Sequence, residues 1–538
     1  MKAILATIGN CVHVQGIKNF EKLLNKNGIE TEFIGVCVDL DKLTKIIDEK
    51  HPDIVGLSYR LDPENARIIF KKLNDSLKEI KNKSKLYFGG TPAVCKIAEE
   101  TGIFDGIFRG TESEDEIINK IFKKIGEKKF IEYPNNLVER IEKSYPLPLI
   151  RHHFGLPSLE KTIEGVKEIA NNKIVDIISI GPDQIAQECF FNPEKICKEL
   201  RGSGGVPLRK KEDLNRIYDA SRTGNYPLLR CYAGTNYLIK WGEMLKDTIN
   251  NAWGAIPIFW YSELDGRSKR NLVSAIRENQ NAIQWHAKND IPIEINDSHQ
   301  WALRKTTDSI EVASAYIATY NARHLGVKHY IQQFMMNVPP EISPEMDIAK
   351  MLAKLEIISN LSNENFHIIR MIRTGLASLS VDPDVAKGEL ASSITLGMYL
   401  NPHIVHVVGY SEAYNVATPE VVIESSKISR GVIKNCLKGL PDISENKKIL
   451  RRKNQILEDT KIILEKIKSL DENNNSFVNP YTLSKAVEIG LLDAENLKGF
   501  SPAKGNIKTS VIDGVVQCLD SKTGEVISEK ERIERLNI

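Results

Sequence analysis

Paired cysteines are missing from this chain. Its eight cysteines are scattered through 538 residues with no C-x-x-C spacing, which excludes a disulfide framework and the usual ligand spacing of structural zinc and iron–sulfur sites. An excess of charge is missing too. The 73 basic residues meet 71 acidic ones for a net charge of +2, so nothing points to a polyanionic partner, and no aromatic–basic stripe of the nucleic-acid type occurs. No apolar run reaches the roughly 18 residues that a membrane span needs. The N-terminus shows no basic region followed by the apolar core of a secretory leader. A cytoplasmic protein is expected, with neither nucleic acid nor membrane as partner. What is present is the balance of a globular chain, 41% hydrophobic and 27% charged, at a length that calls for two or three domains.

Residues 1–130 alternate strand and helix signals. "KAILATIG", "ETEFIGVCV", "DIVGLSYR", "KLYFGG" and "FDGIFRG" read as strands, separated by amphipathic helical stretches such as "IKNFEKLLNKNG" and "DLDKLTKIIDEKH". That alternation predicts an α/β domain with a doubly wound parallel sheet. Ligands of such sheets sit outside the carboxyl ends of the strands. His13, Ser58, Gly89, Gly90, Gly110 and Thr111 all fall there.

Residues 131–170, with "YPLPLIRHHFGLP", are rich in proline and polar residues and read as a linker. Over 171–440 a longer alternation follows, with strand candidates "VDIISIG", "GVPLR", "PLLRCYAG", "AIPIFWYSEL", "PIEIND", "KHYIQQFMM", "FHIIRMIRTG" and "HIVHVVGYSEA". Eight strand–helix units of this size predict a (β/α)8 TIM barrel, whose site would lie on the loops after its strands. Residues 441–538 open with a charged amphipathic helix and read as a small C-terminal extension. Glu263 and Asp265 follow the fourth barrel strand, and Asp297 and His299 follow the fifth. Glu263, Asp297 and His299 are the candidate catalytic groups. Arg209, Arg230, Arg370 and Asp265 are the candidate substrate contacts, with Arg373 a further arginine on a strand. His403 and His406 read as core or loop histidines.

A histidine loop after the first strand, a serine after the third and a paired glycine after the fourth resemble the cobalamin-binding domain of the B12-dependent mutases and methionine synthases. That family carries D-x-H-x-x-G, S-x-L and a glycine pair. Here His13 and Gly16, Ser58, and Gly89–Gly90 stand at those places, with "RGTESE" (Gly110, Thr111) near the end. The resemblance implies a flavodoxin-like (Rossmann-like) cobalamin domain, with His13 replacing the cofactor's own base below cobalt and the displaced tail entering the sheet past serine and glycines. It departs from the family in two places: Cys11 stands where the family has Asp, and Arg60 where it has Leu. An aspartate would make the imidazole more basic and fix its tautomer, so Cys11 implies a differently supported ligand.

The barrel resembles the catalytic subunit of glutamate mutase, in "NYPLLRCYAGTNYLIKW", in the tail, and in "VHVVGYSEAYNVATPE". There Glu412 matches a glutamate that contacts the ribose of the adenosyl group. The resemblance therefore implies an adenosylcobalamin-dependent isomerase that performs a 1,2-rearrangement, with the cobalamin domain capping the barrel. The family's substrate-clamping arginines are not found at the matching strand ends, where Glu263, Asp265 and Asp297 stand instead. The expected substrate is a small amino-acid-type molecule other than glutamate, one bearing positive charge. An aminomutase reaction would add pyridoxal phosphate, for which the sequence nominates no lysine. A corrinoid-dependent methyltransferase and a non-catalytic cobalamin sensor are the alternatives, and a homodimer is expected.

Overall fold

A computed structural model describes residues 1–76, 84–112, 114–125, 133–195, 204–232, 234–471 and 475–536. The chain divides into two units, Met1–Glu132 and Tyr133–Ile538. The boundary expected at residue 130 lies outside the described residues.

The first unit is a five-stranded parallel sheet of β1 (Lys2–Thr7), β2 (Glu30–Phe33), β3 (Ile54–Tyr59), β4 (Lys85–Gly90) and β5 (Gly106–Phe108), in the order β2-β1-β3-β4-β5. β3 is buried along its whole length, the mark of a strand covered on both faces. Two apolar cores do the covering. One joins Leu57, Leu86 and Phe88 to Leu43, Phe70 and Val94 of three helices. The other joins Leu5 and Tyr87 to Ile17, Leu24 and Ile121 of two. The chain leaves β1 toward β2 and then crosses back to β3, so the direction of winding reverses between β1 and β3. The carboxyl ends of those two strands flank the crevice where such sheets bind ligands.

The second unit is a nearly closed parallel barrel of β6 (Leu149–Phe154), β7 (Ile177–Ile180), β8 (Leu228–Cys231), β9 (Gly254–Ala255), β10 (Ile293–Glu294), β11 (His329–Met336), β12 (His367–Thr374) and β13 (Ile404–Val407). The sheet runs β8-β7-β6-β13-β12-β11-β10-β9. Between β8 and β9 the Ala252 N–H donates to the Leu229 carbonyl at 2.9 Å.

Eight strands were expected, but one member of the set differs. "GVPLR" makes only an isolated bridge, Val206 to Pro182. The place is taken by "LIRHHF", inside the expected linker, which pairs with β7 and β13. Residues 131–170 are therefore corrected to a helix (Leu137–Ser144), β6, and most of a second helix (Leu159–Asn172). The reason is physical. β6 carries Arg151 and His153 at alternate positions that face the barrel interior, so a buried strand reads as polar loop. Pro146 and Pro148 precede the strand, where proline costs no ladder hydrogen bond.

The expected extension is not a separate body. The helix Lys447–Lys468 buries Ile449, Ile456 and Ile463 in the same apolar core as the barrel helices. Arg452 on that helix donates to Asp308 at 2.7 Å and to the Val516 carbonyl at 2.9 Å. Val516 lies in a small antiparallel sheet of β14 (Lys508–Ile512), β15 (Val515–Leu519) and β16 (Val526–Ile527). Among the described residues no helix is long and apolar enough to cross a membrane.

Leu149, Ile177, Leu228, Trp253, Ile331, Ile369, Met371 and Ile404 form one apolar plug across the barrel base. Leu149 is 1% exposed. Leu149→Ala is expected to lower unfolding stability by roughly 2–5 kcal/mol, measured by chemical denaturation. A linker residue would cost less than about 0.5 kcal/mol.

Candidate functional site

In the first unit the loop after β1 is tightly built. Gly9 adopts φ +62°. The Ile8 N–H donates to the Ser58 carbonyl at 3.1 Å. The Thr7 hydroxyl donates to the Cys11 carbonyl and accepts from the Cys37 N–H at 3.2 Å. These bonds bury Cys11 and leave His13 exposed. The His13 Nδ1 lies 3.8 Å from the Cys11 sulfur, and among the described residues no protein atom engages Nε2. The helix Gln15–Lys26 starts two residues later without a side-chain cap. Ser58 is buried at the end of β3, beside the same crevice.

The glycines divide by cause. A Cβ on Gly90 would stand 2.7 Å from the Tyr59 carbonyl, so β3 itself demands glycine there. A Cβ on Gly89 would meet only the Phe108 carbonyl at 3.8 Å, and one on Gly16 would meet nothing. Packing gives no reason for glycine at either place, which leaves room for a bulky group against backbone. Gly110 has φ +81° and donates its N–H to Glu112 at 3.0 Å. Thr111 beside it is exposed.

In the second unit a polar layer lies above the apolar plug. Glu294 of β10, 1% exposed, accepts from Trp253 Nε1 at 2.8 Å, Arg230 Nη2 at 3.3 Å and Arg151 Nη1 at 3.4 Å. Burial raises the Glu294 carboxyl, but the two guanidiniums and the indole N–H outweigh it and hold the group below its ordinary value. Burial, partly offset by Glu294, pushes Arg151 down to about 10. Arg151 Nε also donates to Ser179 at 2.7 Å. The Arg230 guanidinium lies 3.9 Å from the Tyr232 ring centre, and the Tyr232 hydroxyl meets His153 Nε2 at 2.9 Å. Arg373 of β12 stands in register beside His406. Burial, together with Arg151 and Arg373, holds His153, His299 and His406 well below the ordinary imidazole range, so all three are neutral at pH 7.

The expected acidic substrate face is not formed. Asp297 accepts from the Ile258 and Phe259 N–H groups at 2.7 and 3.0 Å, and burial pushes it up to about 7. Asp265 accepts from the Tyr261 and Ser262 N–H groups and pairs with Arg267 and Arg304. Glu263 accepts from the Leu272 N–H at 2.9 Å, which starts the helix Leu272–Lys288. β9 is two residues long, and past the Ile256 N–H, which donates to the Glu294 carbonyl at 3.0 Å, the loop leaves the ladder. These carboxylates supply the partners for its N–H groups instead.

Two arginines are corrected as well. Arg209 is held by Asp183. Arg370 donates to the Asn401 carbonyl at 2.8 Å at the amino-terminal end of the barrel, away from the strand ends that carry sites. Arg230 and His299 do line the lumen. Glu412, in the loop after β13, accepts from the Gly409 N–H at 2.9 Å. The sequence pattern does not single out Arg151, His153, Tyr232 or Glu294, and His406 reads there as a core or loop histidine. The available signal was alternation: Arg and His two apart in "LIRHHF" put both on one face of a strand. Among the described residues no group of three His, Cys, Asp or Glu is placed to hold a metal ion.

Residues 1–118 match the B12 binding domain family. Among solved structures, the chain is similar to a novel cobalamin-binding protein from Desulfitobacterium hafniense DCB-2. The two are 27% identical over 23% of this chain and 57% of that one, with a TM-score of 0.20. The signal receiver domain of the response regulator NarL from Mycobacterium tuberculosis is 15% identical over 24% of this chain and 98% of that one, with a TM-score of 0.17. The chain thus spans 57% of the length of the cobalamin-binding protein it matches. No curated protein matches the chain.

The match of residues 1–118 to the B12 binding domain family supports a cobalamin as the cofactor of the first unit. The residues fit the group: His13 offers an imidazole nitrogen with no protein partner, and Gly16 and Gly89 leave space that no side chain claims. Gly89→Ala is expected to leave the melting temperature within about 2 °C while weakening cobalamin binding by tenfold or more, read by absorbance titration. Gly90→Ala is expected to destabilise the fold itself.

Proposed function

We propose that this protein is an adenosylcobalamin-dependent isomerase acting on a small carboxylate. One observation carries the substrate class. Among the described residues Arg151, Arg230 and Arg373 share a lumen with one buried counter-ion, Glu294, and the Arg230 Nε and Nη1 and Arg373 Nε atoms have no hydrogen-bond partner. A buried unsatisfied donor costs about 1–3 kcal/mol, and more when charged. A substrate carboxylate would satisfy these donors with charge-assisted bonds. The positively charged substrate expected from the sequence finds no free carboxylate here and would be repelled.

Residues 149–154 and the other strands build the site as follows. Arg230 and Arg373 bind and orient the carboxylate. Glu294 keeps Arg151 and Arg230 in place, and the apolar plug beneath excludes water from the base of the lumen. Adenosylcobalamin, when bound, would supply the radical chemistry that a 1,2-rearrangement needs. His13, whose Nε2 no protein atom engages among the described residues, would be the residue that holds the cobalt. The resemblance at Glu412 supports the adenosyl form, and a full barrel with a polar lumen supports an enzyme over a sensor.

Two experiments test this. Reduced to the cob(II)alamin state, the full chain is expected to show nitrogen coupling in its electron paramagnetic resonance spectrum that changes on 15N-histidine labelling and is lost in His13→Ala. Coupling that comes only from the cofactor's own base would overturn the assignment. For the substrate, Arg230→Met and Arg373→Met are each expected to weaken carboxylate binding by roughly a hundredfold. Preference of the wild-type chain for basic amino acids over acids would sink the carboxylate reading.

A further inference from the structure

A buried acceptor in the lumen has no role in the reading above. His406 is 1% exposed, yet its Nε2 has no hydrogen-bond partner. Its Nδ1 lies 3.3 Å from the Gln333 Oε1. With the Gln333 amide oxygen turned toward it, Nδ1 is assigned the proton and Nε2 keeps its lone pair. Gln333 is held from its other end, where Nε2 donates to His299 at 3.0 Å. The ring is neutral at pH 7, because burial and the nearby Arg151 and Arg373 keep it from charging. Strand register sets the neighbours: His406 of β13 lies between Arg151 of β6 and Arg373 of β12. A lone pair is thus fixed between two guanidiniums.

We infer that His406 recognises a hydroxyl group on the carboxylate substrate, so that the favoured substrates are hydroxy acids. The inference rests on the carboxylate reading, which places a small acid against Arg230 and Arg373, and Arg373 stands in register beside His406. A lone pair can accept from a hydroxyl or from an ammonium, and charge decides between them. An ammonium would stand beside Arg151 and Arg373, while Glu294 is already engaged by Arg151, Arg230 and Trp253. Like charges repel strongly in a site of low dielectric. A hydroxyl donates the same bond without charge. An acid lacking the hydroxyl would leave Nε2 buried and unpaired, which is the basis on which polar sites discriminate.

The test is calorimetric titration of the full chain, with cobalamin added, against butanoate and its 2- and 3-hydroxy and 2- and 3-amino derivatives. One of the hydroxy acids is expected to bind about tenfold more tightly than butanoate and than the matching amino acid, the worth of one satisfied buried acceptor. His406→Phe should abolish that preference while binding butanoate within about twofold of the wild-type chain. His406→Gln, which restores an acceptor oxygen, should return part of it, and a purely structural histidine would not behave so. Gln333→Leu releases the tautomer and should lower the preference too, which keeps the test open if His406→Phe does not fold. Equal affinity for all five acids, or preference for an amino acid, overturns the inference and leaves the carboxylate reading standing. Failure of every acid to bind overturns both.

Discussion

A carboxylate buried against two guanidiniums governs the second unit. Taking an ion out of water costs several kcal/mol, and only close partners with good geometry offset it. Glu294 has them in Arg151, Arg230 and the Trp253 indole, drawn from β6, β8 and the segment just before β9. The arrangement stitches distant strands together across the lumen, above a plug of apolar side chains that keeps water out from below. It also leaves the layer unbalanced, because Arg373 adds a third positive charge with no second buried acid among these groups. A layer needed for stability alone would be neutral and fully paired. The unpaired donors on Arg230 and Arg373 are what the proposed carboxylate would satisfy.

The same accounting explains the acids on the loops. β9 and β10 are each two residues long, so the chain beyond them soon leaves the ladder with its N–H groups unpaired. Asp297, Asp265 and Glu263 accept those bonds. Acidic residues clustered at strand ends are here part of the loop architecture.

In the first unit the constraint is crowding at the carboxyl ends of β3 and β4. Gly90 is required because the Tyr59 carbonyl approaches it, whereas Gly89 next to it is not required by any protein atom. Two adjacent glycines that look alike in the sequence thus have separate causes, one internal and one consistent with a bound group. The thiol of Cys11 sits where an aspartate would support His13, and at 3.8 Å from Nδ1 it is a weak partner for the imidazole.

Local pattern by itself determined a good deal: the parallel sheet of residues 1–118, the exposed histidine after β1, the presence of eight barrel strands and the amphipathic helix Lys447–Lys468. These follow from alternation and from turn residues, which act over a few positions of the chain. Tertiary structure alone decided which eight strands close the barrel, since Arg151 and His153 make β6 look like loop until the lumen they face is assembled. It also decided that Asp297 and Glu263 bind backbone while Arg230 and His406 face the lumen. The physical reason is that spacing shows which residue types stand at a strand end. Whether Asp297, Arg230 or Arg151 is free depends on partners 38 to 143 residues away, and only the closed barrel brings those into reach.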